Sequence, residues 1–167
     1  MYIRHADVSD IPAMQALERD AAELFRSVAY DFCADGSVLD REAHEFALRS
    51  GAVFLAEIDN QPAGFIVLLR MDGFAHIREV SVSRKFQKRG LGRALIAKGE
   101  DWARSQNFSA ITLTTFRDIP WNAPFYRSIG FCDHRPGADE PELSAILKDE
   151  GAPTEDNKPR IAMKKPL

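Results

Sequence analysis

A short basic turn with two glycines joins an alternating segment to a long segment of helical spacing. The alternating segment ends in Val80-Ser81-Val82, and the turn reads Gln87-Lys88-Arg89-Gly90-Leu91-Gly92-Arg93-Ala94. This order predicts a strand, a turn and a helix in direct succession. The first N–H groups of a helix have no intrahelical partner and carry the positive end of its dipole, so they bind phosphate. The glycines allow close approach of a ligand and the three basic residues add charge, so the turn is a candidate phosphate site.

The turn alone does not name its ligand. A P-loop needs four residues between a glycine and a following Gly-Lys-Ser/Thr, and the chain has no such sequence here. A dinucleotide fingerprint that starts at Gly90 needs a third glycine at position 95, where the chain has Leu95. An ordinary strand-to-helix turn with basic surface residues therefore stays open on this segment alone.

Length and charge limit the classes of protein that fit. A chain of 167 residues is predicted to form one domain over residues 1–167, with a core that needs no disulfide or metal. Its net charge of −3 argues against a general nucleic-acid binder, so a phosphate site must be local. Cys33 and Cys132 lie far apart, which favours free thiols in a reducing cytoplasm. The absence of an apolar leader or a membrane-length apolar run predicts a soluble cytoplasmic protein without a membrane partner.

Periodicity predicts helices around a largely antiparallel sheet of about six to seven strands, an α/β (α+β) fold. The expected helices are one after Asp7 or Ser9 that carries Leu24 and Phe25 on its apolar side, then Arg41 to Arg49, Gly90 to Gln106, Trp121 to Ile129 and Glu142 to Glu150. The expected strands are Tyr2 to His5, Ala52 to Ile58, Ala63 to Arg70, Phe74 to Val82, Ser109 to Thr115, Phe131 to His134 and Pro159 to Lys165.

Two motifs in this order resemble the GNAT superfamily of N-acetyltransferases. The family's pyrophosphate motif has Gln or Arg, two variable residues, Gly, one variable residue, then Gly or Ala, and residues 87–92 match each fixed position. A second hallmark, a Tyr followed four residues later by Gly-Phe, is matched by Tyr126, Gly130 and Phe131. The resemblance implies a GNAT fold whose sheet splays at the acetyl-CoA site, and it is weakest in the first fifty residues.

The resemblance also implies the residues that hold acetyl-CoA. The pantetheine arm would pair with the strand at Val80, Ser81 and Val82, and the pyrophosphate would lie on the N–H groups of residues 87–93. These are Gln87, Lys88, Arg89, Gly90, Leu91, Gly92 and Arg93. Many relatives have an Asn seven residues before the tyrosine; here that position is Ile119, and Asn122 is the candidate that takes over the contact. The family needs acetyl-CoA as cosubstrate and no metal.

Tyr126 occupies the family position of the general acid that protonates the leaving thiolate, although a core tyrosine is an open alternative. Glu79, on the pantetheine strand, is the candidate base for the acceptor amine, and a surface Glu paired with Arg78 is its structural alternative. His76 and a water chain are further candidates for the base.

The sequence leaves the acceptor open. Asp20, Glu23, Asp31 and Asp35 are expected to attract a cationic acceptor, which favours transfer to a small primary amine through a ternary complex. A protein N-terminus or lysine as acceptor, or a CoA-binding sensor without turnover, are the alternatives. Dimers are common among relatives, so a homodimer is compatible with the resemblance.

Overall fold

The computed structural model describes residues 1–150 and 159–167 of the chain. Seven strands form one mixed sheet in the order β1-β2-β3-β4-β5-β7-β6. Their bounds are β1 Tyr2–His5, β2 Ala52–Ile58, β3 Gln61–Met71, β4 Phe74–Val82, β5 Ala110–Phe116, β6 Cys132–His134 and β7 Arg160–Pro166. The pair β4 and β5 is parallel, while β1 with β2, β2 with β3, β5 with β7 and β6 with β7 are antiparallel. The predicted mixed fold is therefore confirmed.

Helices flank this sheet, and short 3-10 segments precede or extend several of them. The α-helices are α1 Ile11–Ala22, α2 Arg41–Ser50, α3 Leu91–Ser105, α4 Ala123–Arg127 and α5 Pro141–Glu150. None of the helices in the described part of the chain is long and apolar enough to cross a membrane. The single domain over residues 1–167 stays a prediction, because contacts group the chain into two compact units.

The first unit comprises Met1–Leu69 and Arg78–Trp102. Its core lies where α1 and α2 pack on β2 and β3; its buried members include Ile11, Met14, Leu17, Ala47, Val53, Leu55, Phe65 and Val67. Gly51 joins α2 to β2 so tightly that a Cβ there would lie 1.9 Å from the carbonyl oxygen of Leu68. A side chain at position 51 would therefore push the helix away from the strand that it covers.

The second unit comprises Arg70–Ile77 and Ala103–Leu167. In its ladder between β4 and β5, Ala75 lies opposite Ile111 and Ile77 lies opposite Leu113. The splay of the sheet at the acetyl-CoA site stays a prediction. Asp72 caps α5 from a distance, because its carboxylate accepts hydrogen bonds from the N–H groups of Glu142 and Leu143 at 3.1 and 2.8 Å. This remote cap satisfies two donors of the first helical turn.

The helix bounds differ from the expectation in two places. The first helix was expected to carry Leu24 and Phe25, but α1 ends at Ala22 and a 3-10 segment follows over Glu23–Val28. Both side chains are consequently only half-buried. The helix expected from Trp121 to Ile129 is shortened to Ala123–Arg127, since Asn122 has a non-helical backbone with φ of −107° and ψ of −119°, and Gly130 has a φ of 97°.

A buried histidine in α2 makes the stability of the first unit depend on pH. His44 is 0% exposed, packs against the Phe65 ring, and neither ring nitrogen has a hydrogen-bond partner within the described residues. Burial lowers the pKa of His44, with the charge of Asp40 opposing it, so the unfolded chain binds a proton more readily than the folded one. The stability linked to the neutral His44 ring is therefore fully present above the ordinary pKa of 6.5, and it is lost as the pH drops below that value.

We expect His44→Leu to be more stable than the wild type by about 1–3 kcal/mol at pH 5, because no orphaned ring nitrogens or buried charge remain. At pH 8 the advantage should shrink, since the wild-type ring is then neutral in both states. Urea unfolding of both proteins at the two pH values measures this difference. An advantage that does not change with pH would contradict the assigned titration.

Candidate functional site

The turn before α3 has the backbone that a phosphate site requires. Lys88 and Gly90 both have left-handed conformations, with φ of 58° and 80°. The first hydrogen bond of the helix runs from the N–H of Ala94 to the carbonyl of Gly90 at 3.0 Å. The N–H groups of Leu91, Gly92 and Arg93 precede that bond and so have no partner within the helix. A left-handed residue followed by a helix N-terminus turns successive N–H groups toward one point, where an anion binds.

The side chains of this turn have separate tasks. Lys88, Arg89 and Arg93 are exposed, so their charges are available to an anion. Leu91 is only 2% exposed, so its side chain belongs to the core and only its N–H suits a ligand. The Gln87 side chain donates from Nε2 to the carbonyl of Val82 at 3.1 Å and thereby closes the turn on the end of β4. The motif predicted Gln87 as a cofactor-binding residue. In the structure its side chain stabilises the turn against β4.

The end of β4 lies unusually close to β3 and α3. Gly64 of β3 allows this, because a Cβ at that position would lie 2.8 Å from the carbonyl oxygen of Ser81 and 3.2 Å from side-chain atoms of Leu95 and Val82. Ser81 is buried, whereas Val80 and Val82 are half-buried. The segment Val80 to Val82 and the turn of residues 87–93 therefore lie together in the first unit, and their contacts with the pantetheine arm and the pyrophosphate stay predictions.

Two carboxylates interact in the same unit. Glu79 of β4 accepts a hydrogen bond from the Ser81 hydroxyl at 2.7 Å. Glu18 of α1 accepts the N–H of Leu39 on both oxygens, at 3.1 and 3.2 Å. Burial and the like charge of Glu79 raise the pKa of Glu18 to about 8, against the opposing effects of the Leu39 N–H and of Arg78 and Arg19. Glu18 thus holds its proton at neutral pH, beside an acidic neighbour.

Glu18 belongs to neither sequence motif, although a local signal for it exists. Ile11 and Met14 are buried on one face of α1, and Glu18 follows them at positions i+7 and i+4 on that face. A carboxylate on the apolar face of a helix is a reason to look for a special environment. Its partners Leu39 and Glu79 are far away in sequence, so that environment is visible only in the folded chain.

His76 lies within the sheet of the second unit. It is buried, and its Nδ1 lies 2.9 Å from the Thr112 hydroxyl oxygen on the neighbouring strand. Burial and a hydrogen bond favour a structural role for this imidazole over the role of the base.

Tyr126 and Asn122 belong to the second unit, where Tyr126 lies within the short helix α4 and Asn122 precedes it. Tyr126 is 7% exposed, and its ring packs edge-on to Phe131 with centroids 5.7 Å apart. Asn122 is the N-cap residue of α4, and its carbonyl accepts the N–H of Tyr126 at 3.0 Å. Ile119 is buried, so its side chain belongs to the core.

The spacing from Tyr126 to Gly130 and Phe131 has a structural cause. Gly130 is left-handed and donates to the carbonyl of Arg127 at 3.1 Å, and Phe131 donates to the carbonyl of Tyr126 at 3.1 Å. These two bonds form a Schellman cap, in which a glycine and the following apolar residue end the helix. The cap fixes the Tyr126 backbone and brings the two rings together.

The family model for the acetyltransferase (GNAT) family matches residues 13–131, which cover more than half of the chain and include both motifs. The chain belongs to the GNAT family. A curated relative, streptothricin acetyltransferase A of Bacillus subtilis, is 32% identical over 65 residues, which are 38% of each chain. The alignment thus covers well under half of that relative's length.

Solved structures show the same GNAT fold. The ribosomal-protein-S18-alanine N-acetyltransferase of Escherichia coli aligns with a TM-score of 0.68 and 19% identity, over 99% of this chain and 93% of that one. A putative streptothricin acetyltransferase from Bacillus anthracis, solved in complex with acetyl coenzyme A, aligns with a TM-score of 0.57 and 26% identity. That alignment covers 70% of this chain and 62% of the neighbour.

Proposed function

We propose that this GNAT chain is an acetyl-CoA-dependent N-acetyltransferase that transfers the acetyl group to a primary amine by direct transfer in a ternary complex. The observation that carries the proposal is the turn at residues 87–93, with left-handed Lys88 and Gly90 and the first-turn N–H groups of α3, which precede the first helical hydrogen bond. A protein of net charge −3 that exposes three cations at one helix N-terminus is suited to bind a pyrophosphate there.

The proposed reaction assigns one proton transfer to each of two side chains. The nitrogen of the neutral form of the amine attacks the thioester carbonyl carbon, the carbon–sulfur bond breaks, and an amide and CoA are released. Glu79 accepts the proton that the amine loses, directly or through water, and the Tyr126 phenol donates a proton to the departing thiolate. The backbone N–H of Val80 or its neighbours polarises the thioester carbonyl, which requires no side chain.

We propose a small cationic amine as the acceptor, and the acidic residues of the first unit limit where it binds. Asp20 and Glu23 are paired with Arg84 and Arg26 at 2.9 and 3.0 Å. Asp31 lies 3.7 Å from the same Arg26, and Asp35 caps the N–H of Ser37 at 2.8 Å. The four acids expected to attract a cation are thus largely neutralised or used locally. The Glu79 carboxylate, beside the protonated Glu18, remains the better support for a cationic acceptor.

The test is release of free thiol from acetyl-CoA in the presence of a panel of acceptors. The names of the similar proteins recommend streptothricin and a peptide that begins with alanine, beside polyamines and a lysine peptide. We expect turnover with at least one small amine. Turnover with peptides alone would replace the small amine by a protein acceptor. CoA binding without thiol release for any acceptor would instead support a sensor of the same fold.

A further inference from the structure

Arg84, which precedes the turn of residues 87–93, is held in place by the carboxylate of Asp20 in α1. Asp20 of α1 accepts the N–H of Arg84 on one oxygen and the guanidinium Nε of Arg84 on the other, both at 2.9 Å. Partial burial opposes ionisation, but these donors outweigh it and keep the pKa of Asp20 below its ordinary value. The carboxylate is therefore ionised at neutral pH and holds Arg84 by two hydrogen bonds, in the segment Ser83 to Phe86 that leads into the turn.

That segment determines where the phosphate-binding N–H groups lie. Ser83 donates from its N–H to the carbonyl of Ala63 on β3, and its carbonyl accepts the N–H of Phe86, both at 2.9 Å. The buried Phe86 then leads into Gln87 and the left-handed Lys88. A left-handed lysine costs free energy, so the flanking bonds must hold the turn in this shape.

We propose that Asp20 is a positioning residue for acetyl-CoA, which acts by fixing Arg84 at the entry of the pyrophosphate turn. The inference rests on the proposed function, because it assigns Asp20 to the same cofactor site. It makes donor affinity depend on α1, a helix that lies outside both motifs of the family.

The charge of Asp20 and its hydrogen bonds predict opposite effects on CoA binding. A carboxylate near a pyrophosphate repels it and partly neutralises Arg84, so removal of the charge alone would tighten binding. Removal of the hydrogen bonds would loosen the turn and weaken binding. Asp20→Asn removes the charge but retains an oxygen for the Arg84 N–H, whereas Asp20→Ala removes both.

The experiment measures CoA binding by calorimetry for the wild type, Asp20→Ala and Asp20→Asn, below the melting temperature of each protein. We expect the Kd for CoA to rise about tenfold in Asp20→Ala, equivalent to the loss of one charge-assisted hydrogen bond. In Asp20→Asn it should rise less. With the acceptor found in the thiol assay, the KM for acetyl-CoA should rise while kcat and the acceptor KM stay unchanged. A smaller fraction of folded protein would not by itself raise the KM for acetyl-CoA.

Asp40→Ala is the matched control, because Asp40 also caps one backbone N–H, that of Ala43 at 2.7 Å, but at the start of α2. It should leave the Kd for CoA unchanged. Unchanged or tighter binding in Asp20→Ala, with normal binding by the wild type, would overturn the inference alone. Failure of the wild type to bind CoA would overturn the proposed function and the inference together.

Discussion

Tyr126→Phe is expected to lower kcat by about 100-fold or more, since a positioned general acid contributes about 10²–10⁴ to the rate. The variant keeps the aromatic ring, so the packing against Phe131 and the Schellman cap at Gly130 should persist. The Kd for CoA should therefore stay within about twofold of the wild-type value, a change below 1 kcal/mol. Steady-state thiol release and calorimetric CoA binding measure the two quantities separately.

Tyr30→Phe is the matched control for this variant. Tyr30 is also buried, but it lies in the first unit beside the 3-10 segment Asp31–Ala34 and has no proposed role in the reaction. It should retain wild-type turnover. If Tyr126→Phe also retained it, Tyr126 would be a core tyrosine whose position follows from the helix cap alone.

Glu79→Gln is expected to lower kcat by a similar factor, about 100-fold at pH 7, because the amide cannot accept the proton of the amine. The substitution preserves shape and still accepts a hydrogen bond from the Ser81 hydroxyl. Glu42→Gln, an exposed residue in the first turn of α2, provides the control for the loss of one negative charge. Equal rates for wild type and Glu79→Gln across the pH range would remove Glu79 as the base.

The same variant has a consequence for stability that does not depend on the reaction. The folded-state pKa of Glu18 is about 8 and its ordinary value is 4.5, so its contribution to stability is complete below pH 4.5 and is lost as the pH rises through about 8. Glu79→Gln removes the like charge and should lower this pKa, although burial still raises it. Urea unfolding at pH 5 and pH 9 should show a smaller loss of stability in Glu79→Gln than in wild type or Glu42→Gln. An identical loss in all three would show that Glu18 and Glu79 do not interact.

The spacing of apolar residues predicted those strands and helices whose bounds depend on residues close together in the chain. The strands Ala52–Ile58 and Phe74–Val82 have the expected bounds, because short runs rich in β-branched, aromatic and other apolar residues need a sheet to bury them. The first helix was expected to run too far, since the apolar spacing continues past Ala22 while the backbone changes to a 3-10 segment. Spacing does not distinguish these two helical forms over a single turn.

The candidate site was predictable where backbone chemistry determines it and not where distant side chains meet. The glycine and basic pattern indicated the turn at residues 87–93, and its left-handed Gly90 agrees with that reading. The contacts of Glu18 with Leu39 and of Asp20 with Arg84 join residues 21 and 64 positions apart. Their physical basis is the packing of α1, which no short motif records.

The cap at the end of α4 also limits what a sequence pattern can report about this family. Gly130 and Phe131 are needed to end a helix, whatever the side chain at position 126 does chemically. A descendant of this protein that replaced the phenol by a phenyl ring would keep the cap, the fold and most of its recognisable signature. Loss of acetyl transfer during evolution would then leave almost no trace in the glycine and phenylalanine that make the pattern easy to find.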